Sequence, residues 1–248
     1  MSENAAYCRY LDVVEDHLHA ARSEAVIHSV TLAAELIARK ITAGGIVYAF
    51  GASHAGLLIQ DQFYRAGGLV PIQPILPAQL MLNTEPVTLT SELEQTPGFA
   101  EIVLKNISFA QGDLLLIASV SGRNPVAVEM CQIAQLQGAT VIALTNVTYS
   151  SAVAGRHGDR LFEVADIVID LPGVVGDAAI GLLPGMPNVG PTSSAVGAAI
   201  LHGLMVQVSA QLIAQGQNPP VFASANMDNS AAWNDRLIDN YRDQLTYL

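Results

Sequence analysis

The sequence predicts a doubly wound α/β fold, in which helices cover both faces of a five-stranded parallel sheet with a flavodoxin-like strand order. Short, almost continuous apolar segments alternate along the chain with amphipathic segments of helical length. This is the pattern of buried parallel strands joined by helices. A chain of 248 residues with 51% hydrophobic content can bury one large core.

Two helices are predicted before the first strand. Apolar residues recur at three- and four-residue spacing over 7–18, and a second such run follows Ser23 and stops before Gly44. We expect these helices, within residues 1–43, to form an extension that packs on the rest of the protein. Because no linker or repeat divides the remainder, we expect residues 44–248 to form one structural unit.

The five apolar segments that follow are predicted to be the strands of the sheet. They lie at 46–50, 69–76, 114–120, 140–145 and 166–171. Helical patterns between them cover about 54–66, 98–109 and 125–137. The long loop from Pro77 to Pro97 has the size of a lid or a binding loop. A charged surface helix is expected over 231–248.

The charge balance excludes several classes of partner. The formal net charge is −11 and no cluster of Lys and Arg exists, so a broad surface for nucleic acid or anionic membrane is not expected. The two cysteines, Cys8 and Cys131, are too few for a disulfide framework or a cysteine metal site. No spacing of His or carboxylates indicates a metal, and no cofactor is predicted. The first residues lack the pattern of a secretory signal, which favours a cytoplasmic protein.

A long uncharged segment lies between Asp177 and Asp228. It contains TSSAVGAAILHGLMVQVSAQLIAQ, which is long enough to span a bilayer. Polar Gln, Ser and His residues interrupt its apolar character, and no Lys or Arg flanks it as a membrane anchor would require. The segment is therefore predicted to be a helix buried in the core or in a subunit interface.

The first candidate binding loop runs from Phe50 to Gly56, directly after a predicted strand and before a predicted helix. Free backbone N–H groups and the helix dipole favour an anion at such a position, and Ser53 adds a hydroxyl donor beside Gly51. A nicotinamide dinucleotide site would need an acidic residue at the end of the next strand. That strand ends in Pro-Ile-Leu-Pro, which disfavours this alternative.

The second candidate loop, SVSGRNP, again joins a strand to a helix, with Pro125 at the predicted first helical position. Ser119, Ser121 and Asn124 can each supply a side-chain hydrogen bond. Gly122 allows backbone amides to approach an oxyanion closely. The alternative is a simple turn followed by an asparagine cap.

The third candidate loop opens the uncharged helix with Thr192, Ser193 and Ser194. One hydroxyl would be enough to cap the helix, so the surplus of hydroxyls indicates a ligand.

These loops carry a resemblance to a known family. SVSGRNP and the following CQIAQLQGATVIALTN resemble the phosphosugar loop of the sugar isomerase (SIS) domain family, although Asn124 stands where the family usually has Thr. That family includes phosphoheptose isomerases, N-acetylmuramic acid 6-phosphate etherases and the isomerase domain of glucosamine-6-phosphate synthase. FYRAGGLVPI, EVADIVID, GPTSSAVGAAIL and PPVFASAN resemble a bacterial subfamily of SIS proteins over nearly the whole chain.

The resemblance implies a phosphorylated sugar as ligand, and it implies a homodimer or homotetramer with sites near the subunit interface. The predicted substrate-binding residues are Gly51, Ser53, Ser119, Ser121, Gly122, Arg123, Asn124, Thr192, Ser193 and Ser194. Asp177 is expected either to contact sugar hydroxyls or to pair with Arg123.

The resemblance also implies aldose–ketose isomerisation, which requires a base that removes the proton beside the carbonyl. Related enzymes carry a Glu in the helix after the first loop, but this position is Phe63 here. The predicted catalytic residues are His54 and Asp61, whose seven-residue spacing places them on one helix face. The alternative for Asp61 is an ordinary helix ion pair with Arg65. His202 is predicted to be a packing residue.

Two further functions are compatible with the sequence. Phosphosugar etherase or lyase chemistry also begins with proton removal beside a carbonyl. A non-catalytic sugar-phosphate sensor is the second alternative, and Phe63 favours it.

Overall fold

The main sheet confirms the predicted fold class. The computed structural model describes residues 5–248. Its five parallel strands are β1 (Val47–Gly51), β2 (Ile72–Ile75), β3 (Leu114–Ala118), β4 (Thr140–Thr145) and β5 (Ile167–Asp170). They are ordered β2-β1-β3-β4-β5, which is the predicted flavodoxin-like order.

Helices connect these strands and flank the sheet. Within residues 5–248 they are α1 (Ala5–Ala20), α2 (Glu24–Thr42), α3 (Ser53–Gln60), α4 (Thr88–Glu94), α5 (Phe99–Val103), α6 (Pro125–Leu136), α7 (Val147–Ser151), α8 (Leu161–Val164), α9 (Ser193–Ala214) and α10 (Ala231–Tyr241). A short antiparallel hairpin, β6 (Ala178–Ile180) and β7 (Val189–Pro191), precedes α9.

Central strand β3 explains why the predicted strands are apolar at successive positions. Leu114, Leu116 and Ala118 lie in one buried cluster with residues of α2, α3 and α9. Leu115 and Ile117 lie in a second cluster, with residues of α5 and α6. Because successive side chains of a strand point to opposite faces, a sheet covered on both faces needs apolar residues throughout.

Helix α9 contributes its buried side to the core. It packs along α2 and against α3, and Leu201 and Leu204 are fully buried. An added Cβ at Gly197 would lie 3.0 Å from Leu58 of α3, so glycine permits this close approach of the two helices. By length and composition alone α9 could cross a membrane, but its place against the sheet is that of a core helix. Its opposite side exposes Val206 and Ile213.

The two N-terminal helices pack differently. Helix α2 begins after Ser23, whose side chain accepts a hydrogen bond from the Val26 amide, and it buries Ala33 and Ile37. Helix α1 has no fully buried residue and contacts α9 and β6. The boundary between 1–43 and 44–248 stays a prediction, and residues 1–4 lie outside the described part of the chain.

The prediction of a helix over 54–66 was wrong in its second half, because α3 ends at Gln60. Tyr64 has a φ of 48°, which a helix does not accommodate. This turn lets Phe63 and Tyr64 both pack edge-on against Tyr247, with ring centroids 5.0 and 6.5 Å apart. Tertiary packing of aromatic side chains therefore overrides the helical pattern.

Other boundaries also differ from the predictions. The long loop after β2 contains a 3-10 turn (Ala78–Leu80) and helix α4. The helix predicted over 98–109 is reduced to α5, and α10 ends at Tyr241. Hairpin β6–β7 was not predicted, because its strands of three residues are too short to show a period.

Candidate functional site

Residues of all three candidate loops line one cavity of about 250 Å³. It opens beyond the carboxyl ends of β1 and β3, where the strand order reverses and α/β proteins bind their ligands. The lining residues are Ala52, Ser53, His54, Ala55, Glu94, Ala118, Ser119, Val120, Ser121, Asn124, Val126, Ala127, Tyr149, Gly176, Asp177 and Ser193.

The first loop brings Ser53 and His54 to the cavity at the start of α3. Residue Ala52 caps this helix without a side-chain hydrogen bond, so the first N–H groups of α3 have no side-chain acceptor. Ser53 has a φ of 53°, a strained backbone conformation of the kind found at functional sites. Gly51 does not line the cavity, but an added Cβ there would lie 2.5 Å from the Ala55 carbonyl oxygen. Glycine is therefore needed to form this loop.

The second loop brings Ser119, Ser121 and Asn124 to the same cavity at the start of α6. Asn124 occupies the N-cap position but makes no capping hydrogen bond, and its Oδ1 is buried without a partner in the described residues. The simple asparagine cap is therefore not what the structure contains. Gly122, with a φ of 58°, does not line the cavity, and an added Cβ there would lie 2.8 Å from Thr145 Oγ1.

The third loop is arranged differently from its prediction. Asp177 accepts hydrogen bonds from the Thr192 amide (3.1 Å), the Ser193 amide (2.9 Å) and the Ser193 hydroxyl (2.7 Å). An acidic side chain therefore already satisfies the start of α9 and offsets its dipole. Ser193 lines the cavity, whereas Thr192 is fully buried and Ser194 is not among the lining residues. Asp177 engages the Ser193 hydroxyl, whereas Thr192 Oγ1 is buried without a hydrogen-bond partner among the described residues. A binding role of these hydroxyls stays a prediction.

Of the two expected roles of Asp177, the ion pair with Arg123 is not formed in the described part of the chain, whereas contact with sugar hydroxyls stays a prediction because Asp177 lines the cavity. Its carboxylate caps α9, and no ion pair with Arg123 forms among the described residues. Its backbone has a left-handed φ of 67°, and its carboxylate reaches the amides of Thr192 and Ser193, which lie 15 and 16 residues later. Arg123 itself does not line the cavity.

Asp61 is not among the residues that line the cavity, so the structure does not bring it together with His54 there. Asp61 follows the last residue of α3 and forms an ion pair with Arg65. Its second oxygen lies 2.7 Å from His202 Nε2 on α9. The ion pair between Asp61 and Arg65 is the alternative that their four-residue spacing predicted. The contact with Asp61 gives His202 a polar partner at the surface. Of the two predicted catalytic residues, only His54 lines the cavity.

The ionisable groups that line the cavity are His54, Glu94, Tyr149 and Asp177. None of the lining residues is Lys or Arg. Burial raises the pKa of the Glu94 carboxyl, although the Asn124 side chain and the positive charge of Arg156 partly offset this effect. A ligand with negative charge would therefore be held by hydroxyls and backbone amides rather than by cationic side chains.

Sequence reasoning missed Glu94 and Tyr149 as cavity residues. Tyr149 lies in α7, just after the carboxyl end of β4, so the rule that ligands bind at this edge of the sheet could have found it. Glu94 is the last residue of α4. The length of its loop was a signal for the region, but nothing in the sequence distinguished Glu94 from Glu85 or Glu92.

Comparison with known proteins agrees with this architecture. Residues 9–146 match the family model described as SIS domain. A UPF0309 protein from Shouchella clausii is 47% identical over 218 residues, which cover 87% of this chain and 89% of that protein. A UPF0309 protein from Oceanobacillus iheyensis is 42% identical over 228 residues, covering 91% and 93%.

Solved structures share the fold at low sequence identity. A phosphoheptose isomerase from Francisella tularensis has a TM-score of 0.57 at 16% identity and covers 84% of this chain and 98% of its own. The phosphoheptose isomerase from Neisseria gonorrhoeae has a TM-score of 0.53 at 15% identity, covering 82% and 97%. From the family model, the relatives and the shared fold together, the chain belongs to the SIS domain family.

Proposed function

We propose that this protein binds a phosphorylated sugar in the cavity and interconverts its aldose and ketose forms. The observation that carries the proposal is the meeting of hydroxyls from two helix starts, Ser53 of α3 and Ser121 before α6, in a cavity that also holds an imidazole, His54. The cavity volume of about 250 Å³ lies just below the range typical of drug-sized ligands, which suits a small polar molecule.

The phosphate would be bound by neutral donors. Ser53, Ser119 and Ser121 supply hydroxyls, and the first turns of α3 and α6 supply backbone N–H groups without side-chain caps. Helix starts of this kind bind phosphate through amide hydrogen bonds and the helix dipole. This mode of binding fits a chain with a net charge of −11 and a cavity without a cationic lining residue.

The reaction would proceed by proton transfer. A base removes the proton from the carbon beside the carbonyl, and the carbonyl oxygen accepts a proton to give an enediol. Return of a proton to the former carbonyl carbon, with loss of the proton from the neighbouring hydroxyl, moves the carbonyl by one position and needs no oxidant. His54 lines the cavity and is the group we assign to proton transfer at the two oxygens.

The fold that the chain shares with two phosphoheptose isomerases supports this reaction class. A phosphosugar etherase or lyase would begin with the same proton removal. A non-catalytic sensor is favoured by one observation. Phe63, where related enzymes carry a Glu, packs edge-on against Tyr247 with ring centroids 5.0 Å apart, so this position supplies no acid or base.

We further expect the protein to act in the cytoplasm as a homodimer or homotetramer. The exposed apolar side of α9, with Val206 and Ile213, is the surface that we expect to meet a second subunit near the site.

The direct test of the reaction is hydrogen exchange in heavy water. Purified protein is incubated with pentose, hexose and heptose phosphates in both aldose and ketose forms. We expect deuterium at the carbon beside the carbonyl of at least one sugar, measured by NMR. Tight binding of a sugar phosphate without exchange would contradict the isomerase function and support a sensor.

The second-loop hydroxyl is tested by Ser121→Ala. We expect this change to weaken binding of a sugar phosphate by about 1 to 3 kcal/mol, because a hydrogen bond to a charged group is lost. Calorimetric titration measures the affinity, and Ser151→Ala, at an exposed position of α7, is the control without effect. Equal affinities of Ser121→Ala and the wild type would remove this loop from the binding site.

Asp177 is expected to limit the affinity for anions. Asp177→Asn keeps a side-chain oxygen to cap α9 but removes a negative charge that lines the cavity. We expect inorganic phosphate to bind more tightly by about 1 kcal/mol in this variant, the size of a screened interaction between two charges. Weaker binding of a sugar phosphate together with unchanged binding of inorganic phosphate would instead mean that Asp177 contacts sugar hydroxyls.

A further inference from the structure

Glu94 reaches the cavity from a different part of the chain than the binding loops. It is the last residue of α4, in the segment that joins β2 to β3. Its side chain lines the cavity together with His54 and the serines of the first two loops. The proposed phosphate site does not use this carboxylate.

Helix α4 holds Glu94 in a fixed position. Thr90 is buried and its hydroxyl donates a hydrogen bond to the Val87 carbonyl at 2.6 Å, and Leu93 packs against the buried cluster beneath α6. Just after the helix, the Arg156 guanidinium donates a hydrogen bond to Gln95 Oε1 at 2.6 Å. Contacts on both sides of Glu94 in the chain therefore hold the turn of helix that carries its carboxylate.

The other acidic side chain of the cavity is already engaged. Asp177 accepts three hydrogen bonds from Thr192 and Ser193, which occupy both of its carboxylate oxygens. Removal of a proton by Asp177 would compete with the cap of α9. Glu94 takes no part in the cap of α9, although the Asn124 side chain at the start of α6 forms a hydrogen bond with it. Burial has the larger effect and raises the pKa of Glu94, which makes its carboxylate a stronger base than that of an exposed Glu.

The geometry points to Glu94 as the catalytic general base that removes the proton from the carbon beside the substrate carbonyl. This inference rests on the proposed isomerase function. It assigns to Glu94 the base that position 63, occupied by Phe63, cannot supply. The C–H bond breaks, its electron pair forms the carbon–carbon double bond of the enediol, and the proton moves to a Glu94 carboxylate oxygen. Glu94 then returns a proton to the former carbonyl carbon, while His54 transfers the proton between the two oxygens.

The matched pair for the test is Glu94→Gln and Glu92→Gln. Both changes remove one carboxylate from α4 with little change of shape, but Glu92 is exposed and does not line the cavity. We expect Glu94→Gln to slow deuterium exchange into the responsive sugar phosphate by about 100-fold or more, the contribution of a general base. Glu92→Gln is expected to exchange at the wild-type rate, and Glu94→Asp, which keeps a carboxylate, is expected to retain part of the activity.

Binding and folding are measured in the same variants. We expect Glu94→Gln to bind inorganic phosphate as the wild type does and to melt at the same temperature or higher, because it no longer buries an ionisable group. Exchange at the wild-type rate in Glu94→Gln would overturn the role of Glu94 as general base but would leave the proposed isomerase function intact. Loss of phosphate binding together with exchange would also overturn it, since Glu94 would then hold the site rather than remove a proton. No exchange by the wild-type protein with any sugar phosphate would overturn the proposed function itself.

Discussion

The site depends on backbone N–H groups that the fold leaves without side-chain acceptors at the starts of two helices. Helices α3 and α6 both begin at the carboxyl edge of the sheet, and neither has a capping side chain. In most helices a Ser, Thr, Asp or Asn satisfies these groups. Here Ala52 cannot, and Asn124 does not. An anion between the two helices would supply the missing acceptors and interact favourably with both dipoles.

The start of α9, at the same cavity, differs from the starts of α3 and α6 because it is capped. Asp177 provides the acceptor there, so this helix start needs no external anion. The negative charge of Asp177 also lines the cavity, where it caps α9. The cavity lining thus combines the hydroxyls of Ser53 and Ser121 with the carboxylates of Asp177 and Glu94. A sugar phosphate combines an anionic group with neutral hydroxyls and a carbonyl, which matches this combination.

Much of the fold and part of the site could be predicted from the sequence, because they follow from local rules. Continuous apolar segments define the strands, and the topology rule places Ser53 and Ser121 at one edge. Other features depend on contacts between distant residues. The turn at Tyr64, which ends the predicted helix early, accompanies packing of Tyr64 against the distant Tyr247. The cap of α9 requires a left-handed Asp177, and the place of Glu94 depends on how α4 packs against α6.

The most direct measurement is an NMR titration of the backbone amide resonances with inorganic phosphate. We expect the largest shifts at the amides of 53–55, 121, 124 and 126, which line the cavity near the helix starts without side-chain caps. We expect little change at the start of α2, where Ser23 already accepts the hydrogen bond. Shifts confined to the exposed basic segment 156–160, with none at the starts of α3 and α6, would contradict this prediction.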